Sequence, residues 1–365
     1  MPITCAYIFA NIEHEVMGNP LVPISGIAFD SRAVQPGDAF FCVVGTESDG
    51  HAFAQAAVDA GASVIVCQHQ PELADPPAVT QVRVEDARRA LAEAAAAFYG
   101  YPSQGMDIIG VTGTNGKTTV TYLIETMLQA AHHPCGVIGT CGSRACGNPI
   151  PSLHTTPESA DLQRILALMR SAGCQAVAME VSSHALSLGR PWATRFAVTA
   201  FTNITHDHLD YHHTLEEYFE AKKLLFSEEY PAIRVISTFG EGGRALEAAC
   251  REAGDEVIAV GERPEDDIRL VSSQRVGGAT QLTLQLSGRF APVGQLVITH
   301  GLLGSFNTEN ILVALGCVLA LDVDAHQAAA ALAEASAPPG RMQQAVVKPD
   351  LGFAVYVDYA HTPDA

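Results

Sequence analysis

Residues 105–131 constrain the fold more than any other stretch. The apolar run between Gly105 and Gly113 reads as a buried strand, and Val120, Leu123, Ile124, Met127, Leu128 and Ala131 then recur at the spacing of one helix face. Between them, Gly113 and Gly116 permit a tight turn whose N–H groups converge at the positive end of the helix dipole, where phosphates bind. Lys117 adds a charge that reaches terminal phosphates, and Thr118 a hydroxyl suited to the magnesium that accompanies ATP. The pattern G-x-x-x-x-G-K-[ST] is missed at one position, since Val111 replaces the first glycine, but Gly113-Thr-Asn-Gly-Lys-Thr-Thr119 keeps its core. A glycine turn that merely connects strand to helix would leave Lys-Thr at the helix start unexplained.

The rest of the chain falls into place around that unit. From 105 onward strands are expected near 106–112, 135–139, 175–181, 196–203, 233–238 and 256–260, alternating with helices near 117–131, 158–172, 214–228 and 241–253. This is the pattern of a doubly wound parallel sheet. At 267–299 the period changes, and Gln281-Leu-Thr-Leu-Gln-Leu286 alternates as a half-exposed antiparallel strand does. Helices near 306–321 and 324–336 follow. Ahead of 105, Ala39–Val44 and Ser63–Cys67 read as strands, and Ala52–Ala60 and Glu85–Tyr99 as helices, which makes a separate small α/β unit of 1–104. Pro338-Pro339-Gly340 reads as a hinge, and Phe353–Val357 as a strand with nothing to pair against, the start of a further domain over 339–365. The expected domains are therefore 1–104, 105–338 and 339–365.

Composition narrows the partners. Acids outnumber lysine and arginine 40 to 21, a formal charge of -19, which disfavours nucleic acid because phosphate backbones recruit bases. Anionic ligands must be held locally. Nine cysteines without a C-x-x-C pair give neither a disulfide framework nor a zinc knuckle; Cys141 and Cys146, the nearest pair in sequence, read as reduced thiols. With no leader-like start and no apolar run near the roughly 18 residues of a membrane span, a cytoplasmic protein without membrane contact is expected.

Ligands of a doubly wound sheet bind at the carboxyl ends of its strands. Three such ends are unusual. Gln175–Val181 is a buried strand carrying one charge, Glu180, that needs a cation or several donors, and Ser182, Ser183 and His184 follow it. Past the strand ending at Asn203 comes Thr205-His-Asp-His-Leu-Asp-Tyr-His-His213, a cluster that binds metal, titrates or is simply a surface loop. Tyr218–Phe226 is an amphipathic helix whose Lys222 and Lys223, taken alone, read as solvated.

Together with Thr155-Thr-Pro157, Met179–His184 with Arg190, Asp207-His-Leu-Asp-Tyr-His212, Ala221–Phe226, Phe306-Asn307, Gly340-Arg-Met342 and Asp358–Asp364, the phosphate loop resembles the Mur ligases, and within them the enzymes that add the third peptide residue. Phe29-Asp-Ser-Arg32 and Gly45–His51 resemble that family's uridine-nucleotide domain. The resemblance implies an ATP-dependent amide ligase that activates UDP-MurNAc-L-Ala-D-Glu as an acyl phosphate for attack by an amino acid, diaminopimelate before lysine on family frequency. ATP and Mg2+ are the implied cofactors, and a monomer is expected. By position, Lys117, Glu180, His208 and Lys222 are catalytic; Thr118, Glu180, His208 and Lys222, the last as a carbamate, hold metal. Gly113, Thr114, Asn115, Gly116, Lys117, Thr118, Thr119, Asn307 and Arg341 match nucleotide contacts. Phe29, Ser31, Thr46, Glu47 and Ser48 match the uridine-nucleotide site, and His154, Thr155, Thr156, Ser182 and Arg190 the muramoyl-peptide site. The family's C-terminal domain is expected to be missing after its first strand, leaving residues 1–365 with negligible turnover. The alternatives are a folylpolyglutamate synthase-like ligase and a nucleotide-binding homologue without catalysis.

Overall fold

The computed structural model describes residues 2–45, 48–75, 79–152, 154–207, 209–345 and 353–360. It resolves into two units: Met1–Gln104 with Pro157–Leu168 and Leu188–Thr194, and Gly105–Thr156 with Met169–Ser187 and Arg195–Ala365.

In the first unit, helix α1 (Cys5–Ile8) precedes β1 (Glu15–Met17), β2 (Ile27–Ala28) and β3 (Ala39–Phe41); α2 (Ala54–Asp59), β4 (Val64–Cys67), β5 (Thr80–Arg83) and α3 (Ala87–Phe98) follow. The sheet order is β1-β5-β4-β3-β2, with β2 to β5 parallel and β1 antiparallel to β5. Val64-Ile-Val-Cys67 is buried throughout, as a continuous apolar run predicts. Helix α3 starts at Asp86, whose carboxylate accepts from the Arg88 and Arg89 N–H groups, and its alanines form a buried face. Strand β5 has no apolar run, since Thr80 and Gln81 are polar yet buried, and it escapes a reading based on hydropathy.

The second unit is built on an eleven-stranded sheet. Its elements in order are β6 (Asp107–Thr112), α4 (Lys117–Ala130), β7 (Cys135–Ile138), β8 (Ser143–Ala145), β9 (Asn148–Ile150), α5 (Ser159–Ser171, whose first ten residues count with the other unit), β10 (Ala176–Glu180), α6 (Ser183–Ser187) and β11 (Val198–Phe201). Then come α7 (Leu209–His212), α8 (Leu215–Lys223), β12 (Ile233–Ser237), α9 (Glu241–Glu252), β13 (Val257–Gly261), β14 (Ile268–Val276), β15 (Ala279–Leu286), β16 (Gln295–His300), α10 (Phe306–Ala320) and α11 (Ala325–Ala331). The strand order is β16-β15-β14-β13-β12-β11-β6-β10-β7-β8-β9. The seven strands from β14 to β7 are parallel to one another; β15 and β16 at one edge, and β8 and β9 at the other, add antiparallel wings.

Both faces of the parallel strands are covered, which explains their unbroken apolar runs. Ile109, Val111, Val235 and Val260 pack against Val120, Ile124 and Met127 of α4 and against α10, while Ile108, Val177 and Ile236 point to the other face. Helix α10 is buried around nearly its whole circumference, as an all-apolar helix must be. In the wing, β16 alternates exposed and buried residues, the period-two pattern expected of one solvated face.

Two expectations change. The strand anticipated at Phe353–Val357 is reduced to β18 (Tyr356–Val357), and it does have a partner, pairing antiparallel with β17 (Gln343–Gln344). The polar Gln-Gln pair carries no strand signature, so the pairing was invisible. The hairpin β8–β9 was also unread, because three-residue strands around Cys146-Gly147 are too short to show a period.

Candidate functional site

The loop after β6 is shaped by its glycines. Gly113 (φ 146°) and Gly116 (φ 88°) hold positive φ, and a side chain at either would strike what packs on it: a Cβ on Gly113 would lie 1.9 Å from Thr202 Oγ1, and one on Gly116 2.2 Å from Asn310 Oδ1. Strand β11 braces the loop across the sheet. The Thr114 N–H donates to Asn203 O at 2.9 Å, the Asn115 N–H to Asn203 Oδ1 at 2.9 Å, and the Thr202 hydroxyl to Asn115 O at 2.6 Å. Helix α4 begins at Lys117, so the loop points the helix N-terminus into a cavity of about 480 Å³ lined by Thr114, Gly116, Lys117, Thr118, Thr119 and residues of neighbouring strand ends.

Glu180, at the carboxyl end of β10, is 1% exposed, and its two oxygens accept from the Thr140 N–H (2.9 Å) and hydroxyl (3.1 Å). No lysine or arginine forms an ion pair with it among the described residues. Thr140 also lies 3.1 Å, hydroxyl to hydroxyl, from Thr155, so the loop after β7 and the segment after β9 bring one threonine each to the cavity. Thr140 was not read from the sequence; its position just past a buried strand is the signal that would have found it.

Two lysines meet at one carbonyl. Lys117 Nζ donates to Gly113 O at 2.9 Å and to Thr114 O at 2.8 Å, and Lys222 Nζ, from α8, donates to the same Gly113 O at 2.8 Å. Lys222 is 1% exposed and lies 4.1 Å over the Tyr218 ring. The solvated reading of this lysine is thus overturned. Burial, and then the neighbouring Lys117 charge, hold the Lys222 amine well below the ordinary lysine range, with Asp207 opposing; burial likewise lowers Lys117. The N-terminal turn of α10 adds Asn307, which donates to Leu303 O and accepts from Asn310, and Glu309, bonded to the Ser237 hydroxyl. Burial raises the Glu309 pKa. Asn310, Glu309 and Asp207 line the cavity and were not among the expected residues.

The structure brings Gly113 to Thr119, Thr155, Glu180, Ser182, Lys222, Asn307 and Arg341 together around this cavity. Thr156 is instead enclosed, its hydroxyl donating to Glu180 O and accepting from the Ser182 N–H, so it braces β10. His154 is exposed and does not line the cavity. Phe29, Ser31, Ser48 and Arg190 belong to the other unit, where Arg190 pairs with Glu158 at 2.8 Å. Thr46, Glu47 and His208 lie outside the described residues. Of the histidine cluster, His212 is buried with Nε2 2.9 Å from the Ser183 hydroxyl and packs near His184. Cys141 and Cys146, read as reduced thiols, are both free, and Cys146 lies against Cys174. No helix among the described residues is long and apolar enough to cross a membrane.

Comparison with known proteins agrees with this geometry. Residues 111–318 match the family described as the Mur ligase middle domain, and residues 23–99 the one described as Mur ligase family, catalytic domain. The chain is 42% identical over 346 residues to the UDP-N-acetylmuramoyl-L-alanyl-D-glutamate--2,6-diaminopimelate ligase of Gloeobacter violaceus, covering 94% of this chain and 68% of that protein. Identity to the protein of the same name from Geobacter metallireducens is 39% over 362 residues, covering 96% and 68%. A solved structure of a ligase of that name superposes with a TM-score of 0.81 at 26% identity, over all of this chain and 72% of the other. MurF from Acinetobacter baumannii shares the fold, with a TM-score of 0.69 at 20% identity over 96% of this chain and 72% of its own.

Proposed function

The chain belongs to the Mur ligase family, and from that premise we propose that it is the ATP-dependent ligase that joins diaminopimelate to UDP-MurNAc-L-Ala-D-Glu in peptidoglycan precursor synthesis. The observation that carries this reading is the convergence, on one cavity, of the glycine loop with Lys117, the buried Glu180 carboxylate and the buried Lys222 amine. That set suits a reaction in which the D-glutamyl carboxylate takes the γ-phosphoryl group of ATP and the resulting acyl phosphate is attacked by an amine.

Each residue then has a defined task. The loop N–H groups and the α4 N-terminus hold the phosphates, and Lys117, which rests on Gly113 O and Thr114 O, turns its ammonium to the terminal phosphate. Asn307 and Arg341 take the nucleotide; Thr155 and Ser182 orient the muramoyl-peptide. The donor set also fits magnesium, since Glu180 is buried with only hydrogen bonds from Thr140 to offset its charge and Thr118 lines the same space. Bound there, the ion supplies positive charge that screens the phosphates from the incoming carboxylate.

Lys222 is read as the carbamylated lysine. An amine reacts with carbon dioxide only when neutral, and burial together with Lys117 favours the neutral form here. The nitrogen bonds to the carbon, a proton leaves, and the product is an anion facing Lys117 and the metal site. Phe29, Ser31, Thr46, Glu47, Ser48 and Arg190 are proposed for the uridine nucleotide and peptide, and His208 as a further metal ligand. The protein is proposed to act in the cytoplasm as a monomer.

Calorimetric titration of the 365-residue chain with magnesium and a non-hydrolysable ATP analogue, and with UDP-MurNAc-L-Ala-D-Glu, tests the reading. Binding of both is expected; failure of both overturns it. Binding of the nucleotide alone, with no affinity for the muramoyl-dipeptide, favours a nucleotide-binding homologue. Folylpolyglutamate synthase structures match with TM-scores of 0.59 over 75% of this chain at 16–20% identity, a likeness of fold alone.

A further inference from the structure

The amino ends of the central strands, opposite the site, hold two thiols in contact. Ala145, the last residue of β8, pairs with Gly136 of β7, and Ala176, the first of β10, pairs with Cys135 of β7. Cys146, just past β8, and Cys174, two residues ahead of β10, therefore arrive at the same end of three adjacent strands, and their sulfurs lie 3.2 Å apart. Both backbones are held in place. Cys146 (φ 47°) and Gly147 (φ 86°) form the two-residue turn of the β8–β9 hairpin, with positive φ at both positions as such turns require. The Cys174 N–H donates to Met169 O, closing the end of α5 behind Gly173 (φ 87°), and the next residue, Gln175, donates to Pro134 O.

Exposure differs between the two. Cys146 is half-buried and borders the exposed hairpin tip, while Cys174 is buried. Among the described residues no third histidine, cysteine or carboxylate joins them to make a metal site.

We propose that Cys146 and Cys174 form a thiol pair that a low-molecular-weight disulfide such as oxidised glutathione converts to an intramolecular disulfide. Cys146, the accessible partner, loses its proton to solvent and attacks one sulfur of the oxidant, whose S–S bond breaks and releases one thiol. Cys174 then gives up its proton and attacks the Cys146 sulfur, releasing the second thiol. Two protein thiols and one disulfide become one protein disulfide and two thiols. Closure needs the sulfurs to approach to about 2.0 Å, within reach of side-chain rotation on backbones that are already adjacent. Burial, and the Cys146 thiol beside it, push Cys174 up to about 12, so the second step is the slow one and speeds up as pH rises.

The test is oxidation of the folded 365-residue chain with excess oxidised glutathione, followed by alkylation and peptide mapping. Expected are a Cys146–Cys174 cross-link reversed by dithiothreitol, closure that is faster at pH 9 than at pH 7, and an affinity for a non-hydrolysable ATP analogue unchanged within about twofold, because the pair lies away from the carboxyl ends of the strands. Cys174→Ser is expected to stop at a mixed disulfide on Cys146. A wild-type map in which Cys174 stays alkylatable, or in which Cys146 links instead to the exposed Cys141, overturns the proposal, and so does a persistent glutathione adduct on Cys146 with Cys174 intact. The wild-type map decides even if a serine variant fails to fold.

Discussion

Two fully buried cations lie twelve positions apart in this chain, and their surroundings have little in common. Arg234, on β12, is 1% exposed and satisfied on every side: its Nε donates to Asp255 at 3.3 Å, Nη1 to the Thr199 hydroxyl at 3.1 Å and to Tyr230 O at 2.6 Å, and Nη2 to Ser227 O at 3.1 Å. Lys222 is equally buried but bonds one carbonyl, faces one aromatic ring and has another lysine beside it. Arg234 ties together the turn after α8 and the root of a strand. The Lys222 environment instead favours a neutral amine, a state that adds nothing to packing and opens a chemical path. Burial alone therefore does not separate structural from functional charges; the count and sign of partners does.

Breaking the first half of that comparison has the largest effect. Arg234→Met leaves the Tyr230, Ser227 and Leu225 carbonyls and the Thr199 hydroxyl without their donor, and should cost about 3–5 kcal/mol in urea unfolding. A loss below about 1 kcal/mol would mean that the arginine is not the tie described.

Lys222→Met should do the opposite, leaving stability unchanged or higher while ligation, assayed with a relative's C-terminal domain appended to both wild type and variant, falls about 100-fold, as for loss of one preorganised electrostatic group. Its pH profile sharpens the contrast. A depressed lysine pKa means that the unfolded chain binds the proton more tightly than the folded chain, so the wild type gains stability relative to the variant as pH rises toward the ordinary lysine range. A carbamate resonance after incubation with 13C-bicarbonate, present in wild type and absent in Lys222→Met, completes the test; its absence in wild type would remove the carbamate role.

A third change probes the loop that presents the Gly113 carbonyl. Gly116→Ala must hold a positive φ and push Asn310 aside, which should cost about 1–3 kcal/mol and weaken nucleotide binding at least about tenfold. Normal affinity would show that the loop tolerates a side chain.

The smallest effect is expected at Glu309, a half-buried acid on the rim of the cavity. Its raised pKa means that the folded chain holds the proton more tightly, so its contribution is favourable in acid and is lost as pH rises through the raised value. Glu309→Gln should therefore gain stability relative to wild type on going from pH 4 to pH 8, by less than about 1 kcal/mol, as read from thermal melts. Equal shifts at both pH values would show that the carboxyl is not desolvated.

Much of this architecture was readable without coordinates. The parallel strands are buried on both faces, which writes them as contiguous apolar runs such as Ile108–Val111 and Val177–Met179, and the helices between them have clear starts and stops. The glycine loop was legible because phosphate binding needs particular residues at adjacent positions. Short strands such as β1, β8, β9 and β17 left no trace, since two or three residues cannot display a period.

What local sequence could not determine was convergence. Lys222 reaches Gly113 across 109 positions, and Asn203 reaches Asn115 across 88, only because β11 and β10 flank β6 in the sheet. Strand order depends on how the connecting helices pack on the two faces, a property of the whole unit. The same holds for Lys222 itself. Residues 218–226 show lysines on an amphipathic helix and nothing more; the lowered pKa of Lys222 arises from the exclusion of water and the nearness of Lys117, which exist only once the chain is folded.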